Sequence, residues 1–338
     1  MQTEIGSDFW DIPIANKKNR LFETATWFIS GRAALRAILQ QISLDTGLLS
    51  IKVALPSFLC QSMIEPFKKE NIEYIFYQVE VIDGALKYNF INVEDCNAIL
   101  VMDYFGFDFP NNIPSFGKIV IRDITHSIFT RTYMDADYCF GSLRKWAGFI
   151  GGGFAFKKDG TIIKPSLDMS EYIVLRKKAI DSKREYISNQ IKSKQYLELF
   201  HESETMLDEC KIAICDSSDI ENAEQLDIDK IKTTRRANAK YLIDRLNKYC
   251  LFKNLGDNDC PLCVPILCEN RDKLRKYLIS KEIYCPIHWP KPSQILGNLS
   301  KIFYEKELSL ICDQRYTEKD MKRIVNAVLS FMENEKNA

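Results

Sequence analysis

Asp123, His126, Ser142 and Lys145 follow one another closely, each at or just past the end of a short apolar run. The runs are Val120-Ile-Arg-Asp123 and Tyr138-Cys-Phe-Gly-Ser142, followed by Gly151-Gly-Gly-Phe-Ala-Phe156, which opens on glycines. Runs of this length and composition read as short buried strands. A lysine amine, a carboxylate, an imidazole and a hydroxyl at successive strand ends match the needs of pyridoxal 5′-phosphate (PLP). The lysine forms a Schiff base, the carboxylate keeps the pyridinium nitrogen protonated, and hydroxyl and backbone N–H groups hold the phosphate. Each residue alone has an ordinary explanation: a turn carboxylate, a satisfied polar ring, a solvated basic side chain. The order of the set, closed by glycine-rich backbone, carries the reading.

The surrounding elements are those that can position such a set. Ser30-Gly31 precedes a helical pattern through Leu35, Ile38 and Leu39, so Ser30 caps a helix whose first N–H groups form a phosphate site. Ile51–Pro56, Glu73–Val79 and Ala98–Asp103 read as further strands, and helical patterns alternate with them. That alternation predicts a mostly parallel sheet with helices on its faces, in which ligands gather beyond the C-terminal strand ends. Residues 169–208 are polar, charged and helical in pattern. From Leu226 a long helix leads into a C-terminal part with strands over Cys260–Cys268, Tyr284–Pro290 and Leu308–Asp313. Residues 1–20 read as an arm with no obvious partner within its own segment.

These motifs resemble the DegT/StrS-type sugar aminotransferases, PLP enzymes of the aspartate-aminotransferase architecture (fold type I). The match lies in Asp123-Ile-Thr-His126, Ser142-Leu-Arg-Lys145, Gly151-Gly-Gly153, Gly31-Arg-Ala-Ala-Leu35 and Ser217-Ser-Asp-Ile-Glu-Asn-Ala-Glu224. The resemblance implies a three-layer α/β/α large domain, residues 1–230, and a smaller α+β C-terminal domain, residues 231–338. It implies a PLP-dependent transfer of an amino group from a donor such as glutamate to a nucleotide-linked keto sugar, through a Lys145 Schiff base. Asp123 would pair with the ring nitrogen and His126 would contact the ring. Gly31, Arg32 and Ser142 would hold the phosphate, while His288 and Arg315 would face the substrate. A homodimer with shared active sites is also implied, as is a place in sugar or polysaccharide biosynthesis. The rival readings are another PLP-dependent sugar-modifying reaction and a non-catalytic binding or regulatory relative.

Three departures accompany the resemblance. Cys60 stands where the family places a ring-stacking aromatic, with Phe58 nearby; Asp103 stands where it has a histidine; and the Gly-x-Asn-x-Arg element after the lysine has no counterpart. The chain of 338 residues has 46 basic and 46 acidic side chains, and this balance gives no sign of a nucleic-acid or acidic-membrane partner. No apolar run approaches the ~20 residues of a bilayer span. The first residues lack a secretory pattern, and eleven scattered cysteines point to free thiols in a cytoplasmic setting. Cys260, Cys263 and Cys268 lack the second Cys-x-x-Cys of a zinc site, so no metal is expected.

Overall fold

The computed structural model describes residues 4–48, 50–82, 85–108, 117–130 and 136–336. The elements begin with β1 (Ile5–Gly6), β2 (Thr26–Phe28), α1 (Gly31–Thr46), β3 (Lys52–Pro56), α2 (Gln61–Lys69) and β4 (Glu73–Ile82). They continue with β5 (Ala85–Asn89), β6 (Ala98–Met102), β7 (Ile119–Asp123), β8 (Tyr138–Ser142) and β9 (Gly153–Lys157). Four helices follow: α3 (Ser170–Ile187), α4 (Tyr196–Thr205), α5 (Ser217–Glu224) and α6 (Ile228–Leu246). The last part holds β10 (Cys263–Leu267), α7 (Arg271–Ile279), β11 (Ile283–Tyr284), α8 (Lys301–Lys306), β12 (Glu307–Ile311) and α9 (Glu318–Lys336).

Eight strands form one sheet in the order β2-β9-β8-β7-β6-β3-β4-β5. The inner run from β8 to β4 is parallel, and the edges beyond it pair antiparallel. The central strands are the most deeply buried, as expected for a parallel sheet covered on both faces: all five residues of β6, which is apolar throughout, and of β8 are buried. Chain order reverses where β3 lies beside β6, and Asp123 and Ser142 end the next two strands along the sheet, β7 and β8. A separate antiparallel pair, β10 with β12, belongs to the C-terminal part. α1 packs Ala34, Leu35, Ile38 and Ile42 inward and ends at Gly47, whose φ of 64° suits glycine.

The N-terminal arm finds its partners far along the chain. β1 adds to β11 in parallel, and Glu4 is buried against Lys183 and Lys194, with Nζ of Lys194 at 2.9 Å. Farther along, the arm runs beside the start of α6, where Asp227 N donates to Pro13 O at 2.8 Å. Among the described residues no helix is long and apolar enough to cross a membrane.

Candidate active site

β7 delivers Arg122 and Asp123 side by side, pointing to opposite faces of the sheet as strand geometry requires. Arg122 turns to Asp103, with Nε 3.0 Å from Oδ1, while Ser127 Oγ donates to the other carboxylate oxygen at 2.6 Å. Asp103 is thus a buried anchor for β7. Asp123 is also buried, and its Oδ1 accepts the Thr125 N–H at 2.8 Å. Burial pushes its carboxyl up to about 6 against the hydrogen bonds from Thr125, and no cation pairs with it among the described residues. A buried carboxylate in that state suits a cationic ring nitrogen as partner.

Ser142 closes β8 next to the start of α1. A Cβ on Gly31 would stand 3.4 Å from the Ser142 Cβ, so the helix start and the strand end nearly touch. Ser30 Oγ caps the helix by accepting Ala33 N at 3.2 Å, and the first helical bond is Ala34 N to Ser30 O. The Gly31 and Arg32 N–H groups precede that bond. Ser142 Oγ is buried without a hydrogen-bond partner among the described residues. An orphaned hydroxyl beside a helix N-terminus fits an oxyanion such as the PLP phosphate. The Arg32 guanidinium is taken up by Glu204 and Asp208, so the helix start offers the Arg32 backbone N–H rather than its side chain.

The glycine run explains how these two pieces meet. A Cβ on Gly151 would stand 2.6 Å from Ile29 O, and one on Gly153 2.2 Å from the Ser30 carbonyl carbon. Only glycine lets the turn lie flat against the Ile29–Ser30 backbone. The turn's own N–H groups are satisfied by Asp219, whose carboxylate accepts Ile150 N at 3.0 Å, Gly151 N at 2.7 Å and Gly152 N at 2.9 Å. Asp219 lies in α5, within the Ser217–Glu224 stretch that resembles the family motif.

Lys145 ends a short turn after Ser142 and is exposed on the wall of a cavity of about 510 Å³. The next residue, Trp146, is buried and fixes that turn: its Nε1 donates to Thr125 O at 2.7 Å, and the Arg235 guanidinium lies 4.4 Å from its ring. The lysine turn is therefore pinned to the loop that holds Asp123. Cys60, the N-cap residue of α2, shares their electrostatic environment, its thiol pushed up by burial and influenced by both Lys145 and Asp123. Phe58 lies elsewhere, stacked on Phe303 at 4.4 Å within the aromatic core.

His126 and His288 face each other with ring centroids 5.1 Å apart. His126 Nδ1 accepts the Phe105 N–H at 3.3 Å, which leaves the proton on Nε2, and burial holds its imidazole well below the ordinary value. His288 lines the same cavity as Lys145; its Nδ1 lies 2.8 Å from Ser309 Oγ, and its backbone N donates to Glu307 Oε2 at 2.8 Å. Ser309 Oγ donates to Glu307 Oε1 at 2.5 Å. Burial lowers His288 to about 3 and raises Glu307 to about 8. Arg315 also lines the cavity, but its guanidinium is held by Asp313 through a bidentate pair at Nε and Nη2 and by the Ser7 and Asp8 carbonyls, tying down the arm. Asp219, Trp146, Glu204 and the Glu307–Ser309 pair complete the site without having been singled out as site residues in the sequence.

No protein-family model matches this sequence, and no curated protein matches it either. Solved structures do match its fold, several of them aminotransferases. A DegT DnrJ EryC1 StrS aminotransferase from Brucella abortus is 18% identical, with 91% of this chain and 85% of that one covered at a TM-score of 0.60. DesV from S. venezuelae, solved in complex with a ketimine intermediate, is 16% identical over 93% of this chain and 87% of its own, at 0.62. Spr1654 from Streptococcus pneumoniae, in its PLP form, is 12% identical over 96% and 91%, at 0.59. The chain shares their α/β architecture.

Proposed function

We propose that the protein is a PLP-dependent aminotransferase that transfers an amino group from an amino acid such as glutamate to a keto sugar. The observation carrying this reading is a juxtaposition at adjoining strand ends: a buried carboxylate with no cation partner and a buried hydroxyl with no hydrogen-bond partner among the described residues, and Lys145 beside them. The fold neighbours, several of them sugar aminotransferases, support it.

Bound PLP supplies an aldehyde carbon for an amine and a protonated ring that withdraws electrons from the substrate carbon. Asp123 holds the proton on the ring nitrogen, since an ionised partner relieves its own burial. Ser142 Oγ and the N–H groups of Gly31 and Arg32 bind the phosphate. Lys145 would hold the cofactor's aldehyde carbon and, once an amino donor displaces it there, its freed amine would carry the proton to and from the substrate carbon. Trp146 keeps that amine in register with Asp123 through Thr125. His126, neutral in its buried position, presents its Nε2–H, and His288 borders the substrate cavity. The reading extends to a homodimer joined through the helical stretch around α3, where Leu167, Val174 and Ile214 are exposed apolar residues.

Adding PLP to the purified protein is expected to give a yellow species. Glutamate should then bleach it with release of one equivalent of 2-oxoglutarate. A protein that stays colourless, or a coloured one that glutamate and other amino acids leave unchanged, contradicts the proposal. Light scattering tests the dimer separately.

A further inference from the structure

The cavity beside Lys145 is lined by seven cationic and four anionic side chains. Most of the cations have local partners. Lys194 pairs with Glu4 and Arg315 with Asp313, and Arg235 donates to Gln314 and to the Pro261 and Leu262 carbonyls. Arg144, next to the lysine, pairs with Glu204 at 2.7 Å through one terminal nitrogen while its Nε is buried without a partner among the described residues. Arg235 has no carboxylate partner but makes three hydrogen bonds to neutral acceptors, whereas Arg176 makes far less. Arg176 reaches the cavity from α3, is 6% exposed, and no carboxylate pairs with it among the described residues. Its one hydrogen bond is a long one, 3.5 Å to Ser203 Oγ, and its guanidinium carbon lies over the Phe200 ring, 4.4 Å from the ring centroid.

A buried guanidinium without a counter-ion is unfavourable, and a second arginine nearby makes it more so. Burial and Arg144 together hold Arg176 below the ordinary arginine value, with Asp8 and Glu204 offsetting this only in part. The planar fork of an arginine, backed by an aromatic ring and opening on a cavity, is suited to a bidentate oxyanion. We propose that Arg176, with Arg144 beside it, is the receiving site for an oxyanion of the substrate, a carboxylate or a phosphoryl group, in the cavity that Lys145 borders. The proposal rests on the aminotransferase reading for the identity of the ligand as substrate. The site itself rests on the cavity and its uncompensated cation.

Calorimetric titration of the full-length protein, with and without added PLP, separates the two. The probes are glutarate, which presents carboxylates, and inorganic pyrophosphate, which presents phosphoryl groups. Saturable binding of either one is expected, and the probe that binds identifies the source: an amino donor's carboxylate or a phosphorylated acceptor. Arg176→Met should weaken that binding about tenfold or more, the loss of a charge-assisted hydrogen bond. Arg176→Gln, which keeps a polar end for Ser203, should lose as much and serves if the first variant does not fold. Binding of neither probe, or binding within about twofold of the parent in a folded variant, overturns the site and leaves the aminotransferase reading standing. Arg176-dependent binding to a protein that forms no coloured species with PLP supports the site and removes the aminotransferase reading.

Discussion

Replacing Asp219 tests how the proposed phosphate cradle is built, and its cost can be worked from three hydrogen bonds. The carboxylate accepts the N–H groups of Ile150, Gly151 and Gly152, which lie in a buried turn. A buried donor stripped of its acceptor costs about 1–3 kcal/mol, so three would cost up to about 9 if nothing relaxed. Part of this is returned, because the fold carries the carboxylate against its own burial, which raises its pKa. The expected net loss for Asp219→Ala is about 3–5 kcal/mol, the range for removing one partner of a buried charged network. Asp219→Asn should lose less, about 1–3 kcal/mol, because an amide oxygen in the Oδ2 place keeps the two glycine N–H groups and turns a donor on Ile150 alone.

The same turn presses on Ile29 and Ser30, so PLP affinity should fall together with stability, by about tenfold or more in the alanine variant. Urea unfolding followed by circular dichroism gives the first quantity, and PLP titration of the folded variant gives the second. An Asp219→Ala protein destabilised by less than about 1 kcal/mol, or one destabilised with PLP affinity unchanged, would refute this account of the cradle.

Gly153→Ala should be at least as disruptive to PLP binding, since its Cβ would stand 2.2 Å from the Ser30 carbonyl carbon; parent-like affinity in a titration would show that the β2–α1 junction can move aside. Glu307 predicts a pH dependence of stability. Burial raises its folded-state value to about 8 from 4.5, so the folded chain holds this proton more tightly than the unfolded one. The stabilisation it gives is complete below 4.5 and is lost as pH rises through about 8, and Glu307→Gln should flatten that part of the profile. Urea midpoints measured across this window check it, and an identical slope in parent and variant would contradict it.

Much of the large sheet was legible because buried parallel strands write themselves as unbroken apolar runs. Ala98–Met102 and Tyr138–Ser142 are examples, and both are strands with every residue buried. Lys145 stood out through order, following one strand that ends in Asp123 and another that ends in Ser142. The arm's partners were not legible: β1 pairs with β11 across almost the whole chain, and a two-residue strand has no periodicity to read. Arg32 and Arg315 illustrate a different limit. Their types were right for anion contacts, yet Glu204 and Asp208 hold one and Asp313 holds the other. Which carboxylate reaches which guanidinium depends on packing between distant helices. Arg176 inverts the case, reading as one charge in a solvated helix and lying buried over Phe200. The polar composition of α3 and α4 reflects charges turned inward toward the cavity as well as outward to water.

The central claim is that Lys145 binds the cofactor beside Asp123. Borohydride reduction of the PLP-loaded protein makes the lysine–cofactor bond permanent, and peptide mapping then locates it. The account predicts a pyridoxyl label on the peptide containing Lys145, and its loss in a folded Lys145→Ala variant. A label on any other lysine, or none on a protein that retains PLP, would contradict it.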